Sequence, residues 1–405
     1  MRSVLDAPAP IERTAASKAP LGRPPFLAFV GDAETERLLQ ECVKQLALGQ
    51  GTIMRGGIGK AVEHLGQHRS PHILIVDISG VDLPTSKVNQ LADVCEPGVA
   101  VIAIGNRNEI GLYRDLLHAG VTEYVVKPIN QQLLAKALSS GRAHTGEASP
   151  IHKKLGTLVA FVGTRGGVGT TTLAVNTAWY LAHRQSRRVA LVDLDLQNGD
   201  CALALDIKPT PGLREALANP LRIDSTLLDR VMTPVGERLF VLSSEESLSE
   251  DLHFTAVAVE TLISALREQF HYVIVDAPRI PAPPYRRALE MADFCVMVAD
   301  QTLRSVRDTV RLRNAIGDGK RPNILVVNRH GEGGRHAVTL QEFQHVVEVK
   351  PKSVIAFQPT LFTTVSGGAK IAVAQRGKFA DAIAGLALEL SGRAPERRRW
   401  WRAEK

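Results

Sequence analysis

The residues best suited to do chemistry lie between Thr157 and Asn176, TLVAFVGTRGGVGTTTLAVN. The apolar run Thr157 to Val162 reads as a buried strand. Gly163 to Gly169 reads as a glycine-rich turn, and Thr170, Thr171 and Thr172 as the start of a helix. Strand, glycine turn and helix N-terminus in that order make a phosphate cradle. Glycine lets the backbone curl around an anion, the loop N–H groups point inward, and the helix dipole adds positive potential. The pattern G-x-x-x-x-G-K-[ST] is met imperfectly. Gly163 to Gly169 is one residue too long, while Thr164 to Thr171 has the right spacing with its first glycine lost. The lysine that would reach the β- and γ-phosphates is Thr170, so a point charge is missing. Thr171 still supplies the hydroxyl that would meet Mg²⁺.

Two carboxylate motifs follow. The strand Arg188 to Val192 ends in Asp193-Leu194-Asp195, with polar Gln197, Asn198, Gly199 and Asp200 beyond. The strand Tyr272 to Val275 ends in Asp276-Ala277-Pro278-Arg279. A carboxylate at the carboxyl end of a parallel strand, beside a phosphate loop, is where an α/β fold holds Mg²⁺ and water. The proline turns the chain away from the sheet, and Ala282 to Tyr285 reads as a stiff proline-rich segment. Phe294 to Ala299 and Ile324 to Val327 are further strands, the second ending in Asn328-Arg329. One stretch is a decoy. Arg55 to Ala61, RGGIGKA, carries a lysine at Lys60, but Ala61 replaces the Ser or Thr and Gly49 to Met54 is a poor buried strand. It reads as a turn into a surface helix.

These motifs need strands to carry them, and the chain supplies two sets. Residues 1–24 are rich in Ala and Pro without periodicity and read as a disordered leader. From 25 to 138 strands and helices alternate. Phe26 to Val30, His72 to Asp77, Val99 to Ile104 and Glu123 to Val126 are strands. Ala33 to Leu48 and Ile110 to Leu117 have helical spacing. Ser139 to Lys154 is polar and reads as a linker. The second set occupies 155–393, and 394–405 form a basic aromatic tail. The expectation is α/β: two doubly wound parallel-sheet domains in sequence.

Composition narrows the rest. The chain has 405 residues, an ordinary apolar fraction of 44% and no run of about 18 apolar residues, so no transmembrane helix is expected. The N-terminus has no apolar segment of a secretory signal. Cys42, Cys95, Cys201 and Cys295 are scattered and read as reduced core cysteines of a cytoplasmic protein. Residues 393–405 carry six basic and two acidic residues, and residues 1–24 four and two, so only +1 of the net +7 belongs to the body. A broad nucleic-acid-binding face is not expected.

The first domain resembles the response-regulator receiver. Asp77 stands where a receiver has its phosphorylated aspartate, Lys127 before Pro128 matches its lysine, and Asp32 is half of its acidic pair. Gly31 replaces the other acid and Gly105 the Thr or Ser. A pseudo-receiver is the expectation. The second domain resembles the ParA/MinD ATPases, whose deviant phosphate loop reads K-G-G-x-G-K-T-T. Arg165, Gly166, Gly167, Val168, Gly169, Thr170, Thr171 and Thr172 lie on it position by position. The resemblance implies ATP and Mg²⁺ as cofactors, and a homodimer in which Arg165 takes the place of the lysine that crosses to a partner's nucleotide. It implies Mg²⁺ contacts for Thr171, Asp193 and Asp276, water orientation by Asp195, and adenine recognition by Asn328.

Over residues 25–392 the chain is similar to the TadZ/CpaE family of Flp (tight adherence) pilus assembly proteins. RGGVGTTT, the segment Val189 to Leu217 and YVIVDAPR carry that likeness. It implies a localisation and assembly factor of the pilus secretion machine, at a cell pole or the inner face of the cytoplasmic membrane, with weak or no ATP hydrolysis. Two alternatives stay open: a scaffold with a non-functional cradle, and an active partitioning-type ATPase. In the tail, ERRRWWRAEK joins two indoles to four arginines, which suits weak contact with anionic lipid.

Overall fold

A computed structural model describes residues 23–46, 51–145, 155–279, 282–317, 322–334, 337–366 and 371–391. Most of the leader, the basic aromatic tail and most of the expected linker lie outside them; Arg23 and Pro24, expected in the leader, lie inside, and Arg23 packs onto the first domain through Glu96.

The first sheet holds β1 (Phe26–Val30), β2 (Thr52–Arg55), β3 (Ile73–Asp77), β4 (Ala100–Gly105) and β5 (Glu123–Val126), in the order β2-β1-β3-β4-β5. All its pairings are parallel. β1, β3 and β4 are buried throughout because helices cover both faces, which is why they read as continuous apolar runs. Leu39, Cys42, Leu134 and Leu138 close one face; Ile58, Leu65, Leu91 and Leu116 close the other.

Two sequence readings change here, and a third stands. Thr52–Arg55 is an edge strand, half exposed, so it lacks the apolar run that marks a buried one. After it the chain turns into the helix Gly57–Gln67, which buries Ile58, Ala61 and Leu65 and leaves Lys60 exposed, as the reading of a decoy has it. The expected linker from Ser139 begins late. The helix Gln131–Thr145 runs on, because Gly141 faces the sheet with Ile102 and Ile73 within 4 Å of where its Cβ would be.

The second sheet holds β6 (Thr157–Gly163), β7 (Val189–Asp193), β8 (Thr233–Val235), β9 (Leu239–Leu242), β10 (Tyr272–Ala277), β11 (Phe294–Ala299), β12 (Asn323–His330) and β13 (Ser353–Ala356). Its order is β13-β12-β11-β6-β10-β7-β9-β8. Only β8 runs antiparallel to its neighbour among the described strands. Apolar side chains of the two faces pack against helices Thr170–His183 and Lys378–Ser391 on one side and Ala256–Arg267 on the other. Both domains are α/β with parallel sheets. The segment from Ala282 is not merely stiff. Pro283 and Pro284 open the helix Pro283–Met291, where a missing N–H costs nothing.

Candidate functional site

β6 lies between β10 and β11, so its carboxyl end is the switch point of the sheet, where such folds bind ligands. The glycine loop begins there. Gly167 and Gly169 take positive φ of 78° and 91°, and Gly169 caps the helix Thr170–His183. Val168 is fully buried beneath the loop, whereas a Cβ on Gly166 would meet nothing within 4 Å. The backbone therefore presents an open concave side. A Cβ on Gly163 would lie 2.4 Å from the Thr170 Oγ1, so the threonine hydroxyl is packed back onto the first glycine of the loop.

Asp193 ends β7 and Asp276 lies in β10, paired directly across the ladder. They are 1% and 6% exposed. The Cys201 thiol stands between them, and ligand atoms of Asp193, Cys201 and Asp276 lie within 4.8 Å of one another. Asp193 accepts from the backbone N–H of Asp195 (3.2 Å) and of Cys201 (3.0 Å). Asp276 accepts from the Thr171 hydroxyl and the Cys201 thiol. Burial, and then the charge of Asp193, push the Asp276 carboxyl up to about 7. Burial pushes Asp193 up to about 6. Two carboxylates held so close in a dry place are poorly solvated as anions, and a divalent cation between them would relieve both. Gly199 makes the approach possible, since a Cβ there would lie 2.4 Å from both Asp193 Oδ2 and the Asp195 carbonyl. The donor set, with Thr171 beside it, suits a hard cation such as Mg²⁺.

Other expected residues are placed differently. Asp195 is half-exposed, and its carboxylate accepts from the N–H of Asn198 (3.0 Å), closing its own loop. Arg165 does not extend outward. Its guanidinium pairs with Asp300, just after β11, and donates to the Gly166 carbonyl at 2.8 Å. Asn328 donates one amide N–H to the Val168 carbonyl at 2.8 Å, which holds up the loop and leaves its second N–H and its carbonyl oxygen for another partner. Thr172 keeps to the helix, its carbonyl accepting from Asn176 at 2.8 Å.

Three residues were missed from the sequence: Cys201, Asp300 and Arg329. Arg329, at φ 56°, donates to the Gly167 carbonyl at 2.7 Å. Asp300 carried a usable signal, being a carboxylate at a strand's carboxyl end. Cys201 and Arg329 carried none.

In the first domain the three expected residues do meet. Lys127 Nζ donates to Asp32 Oδ2 and Asp77 Oδ2, each at 2.6 Å. Asp77 is 3% exposed and also accepts from the N–H groups of Gly31 (3.0 Å) and Ser79 (2.8 Å). Burial raises its carboxyl, but Lys127 and these N–H groups outweigh that and hold it below the ordinary value. The space beside Gly105 is filled by Tyr124, whose hydroxyl would lie 2.4 Å from a Cβ there.

Comparison with known proteins agrees with this geometry. Residues 156–321 match the family described as AAA domain. The septum site-determining protein MinD of Synechocystis is 29% identical over 42% of this chain and 64% of its own length. The match thus spans less than two thirds of that relative. A ParA family ATPase from Chlorobium tepidum superposes with a TM-score of 0.53 at 22% identity, covering 57% of this chain and 98% of that one. A pilus assembly protein CpaE from Caulobacter crescentus is 27% identical over 28% of this chain and 96% of its own, at a TM-score of 0.27. The second domain is thus a parallel-sheet nucleotide-loop fold. Its fold is like that of the ParA family ATPase, and residues 156–321 of it match the AAA domain family.

Proposed function

We propose that this chain is a homodimeric localisation and assembly factor of a Flp/Tad pilus secretion machine, binding ATP–Mg²⁺ with weak or no hydrolysis. One observation carries the nucleotide part. The cation-seeking pair Asp193 and Asp276, with Thr171 beside it, is intact, while Thr170 stands where the catalytic lysine belongs and is packed onto Gly163. Phosphoryl transfer depends on positioning and charge stabilisation. Loss of one ammonium therefore costs turnover more than it costs binding, which loop N–H groups and the helix N-terminus still favour.

When bound, Mg²⁺ would supply positive charge that offsets the charge of the phosphates. Thr171, Asp193 and Asp276 would hold it. The loop Arg165 to Thr172 would bind and orient the phosphates. Arg329 and Asn328 keep that loop in shape from below. Asp195 is the candidate for orienting water. Arg165 would exchange Asp300 for a partner's nucleotide in the dimer.

The pilus assignment is supported by RGGVGTTT, Val189 to Leu217 and YVIVDAPR, together with a receiver-like domain that has lost its acid and its hydroxyl. The site of action would be the cytoplasmic face of the membrane or a cell pole. No helix among the described residues is long and apolar enough to cross a membrane. The tail 394–405 would add weak contact with anionic lipid. A second reading, a division or partitioning ATPase, is favoured by the MinD relative.

Equilibrium binding of ATP with Mg²⁺ to the purified chain tests the nucleotide part; no binding leaves a scaffold. A deletion strain should lose surface pili and keep normal septa. Misplaced septa with normal pili would select the second reading.

A further inference from the structure

The first domain rests on the amino-terminal edge of the second sheet, at the opposite end from the cradle. Arg238 donates across the boundary to the Gly66 carbonyl at 2.7 Å. Gly98, at φ 77°, sits so close to the Glu268 carbonyl that a Cβ would lie 3.3 Å from it. Arg188 immediately precedes β7 and His271 immediately precedes β10. The two are tied to each other: the Arg188 N–H donates to His271 Nδ1 at 3.0 Å, and the His271 N–H to the Arg188 carbonyl at 2.9 Å. The Arg188 guanidinium is 2% exposed and packs over the rings of Phe240 (4.1 Å) and Phe270 (4.7 Å).

Charge is exchanged across the same boundary. Glu96 of the first domain is 5% exposed, and Arg69 (2.9 Å) and Arg23 (3.3 Å) grip it from its own side. Its field also reaches Arg188 of the second domain. In return Asp229 of the second domain faces Arg69 and Arg23. Three guanidiniums thus share two carboxylates; Arg188 and Glu96 are buried, while Arg69 and Asp229 keep some exposure. Removing one carboxylate would leave buried positive charge uncompensated, which is far costlier than an exposed pair lost.

The strands resting on this contact are the two that end at the buried acid pair. β7 runs from beside Arg188 to Asp193, and β10 from beside His271 to Asp276. They pair with each other along their whole length, from Tyr272 opposite Val189 to Asp276 opposite Asp193. Arg238 stands just before β9, and its carbonyl accepts from the Val189 N–H at 2.8 Å while its side chain donates to the Ser186 carbonyl at 3.0 Å, so it is tied to the start of β7. We propose that the first domain is a fixed brace: held through Arg238 and through the Glu96 charge cluster beside Arg188, it sets the positions of Asp193 and Asp276 at the far ends of β7 and β10. A pseudo-receiver that cannot be switched by phosphate then still has a task.

The test uses the full-length chain without ligand, so it stands apart from whether the cradle takes nucleotide. Small-angle scattering and hydrogen exchange are compared for the wild type, Glu96→Gln and Arg238→Ala. In both variants the radius of gyration should rise, and exchange should quicken at 66–70 and 95–98. Exchange within 189–193 and 272–276 should quicken by about fivefold or more, with β1 and β3 remaining protected. Unchanged scattering and exchange in both variants would overturn the docking. Opening without faster exchange in 189–193 and 272–276 would overturn the brace. If Glu96→Gln unfolds β1 and β3 as well, Arg238→Ala decides, because it removes one hydrogen bond across the boundary, to Gly66, and one to Ser186 within the second domain, and touches nothing buried in the first.

Discussion

Arg165 and Asp300 form an ion pair that ties the glycine loop to the chain just beyond β11. Asp300 is 2% exposed and is further held by the Thr302 hydroxyl at 2.8 Å. A charge-assisted hydrogen bond of this kind contributes about 1.5–3 kcal/mol. Arg165→Ala should lower stability by that order, and Asp300→Asn by less. The double variant should fall short of their sum. A urea-unfolding double-mutant cycle measures the coupling, and additivity would show that the pair contributes nothing.

Thr170→Lys should tighten ATP–Mg²⁺ binding by about tenfold, since an ammonium at the phosphates adds a charge-assisted contact. The site is half-buried, so the longer side chain has room toward the open side of the loop. Calorimetry checks it. Unchanged affinity, with a wild type that binds, would mean that position 170 does not face phosphate.

Asp77 should not become phosphorylated. Its carboxylate is sealed by Lys127, Gly31 and Ser79. Acetyl phosphate with Mg²⁺ should leave the intact mass unchanged. Asp77→Ala should destabilise the first domain by leaving Lys127 with Asp32 alone, and leave pilus assembly intact where the protein still accumulates. A stable adduct of one phosphoryl group would refute this.

Protons and metal should each stabilise the acid pair, and should compete for it. The native carboxyls of Asp276 (about 7) and Asp193 (about 6) lie above their ordinary 3.8. The native state therefore holds more protons than the unfolded one, and its stability rises as pH falls through 7 and 6. In chelator the melting temperature should climb between pH 8 and pH 5. Mg²⁺ at pH 8 should raise it and flatten the slope. Glu96 acts lower and the other way. Burial raises it, but Arg69 and its neighbours hold it down to about 2 against an ordinary 4.5, so stability it provides is lost as pH falls from 4.5 towards 2. A melting curve in chelator that falls between pH 8 and 5 would contradict the raised pair.

The sheets were legible because strands buried on both faces leave continuous apolar runs, as in ILIVD at β3 and VALVD at β7. β2 was not, because an edge strand with two exposed residues leaves no such run. β8, β9 and β13 are only three or four residues long and slipped past for want of length. The cradle, Asp193 and Asp276 were legible as motifs at strand ends. Cys201 and Arg329 act through contacts with residues 75 and 162 positions away, which local pattern cannot reveal. The amide of Asn328 was found, but its hydrogen bond to Val168 is equally long-range.

The close packing around Gly31 and Gly105 bears on what redesign could add. A Cβ at 105 would meet the Tyr124 hydroxyl at 2.4 Å, and one at 31 would meet Asp77 Oδ2 at 2.9 Å. A threonine placed at 105 or an acid at 31 would thus land in occupied space. Anyone wishing to build phosphate chemistry around Asp77 must move several neighbours together, and Tyr124 is the first of them.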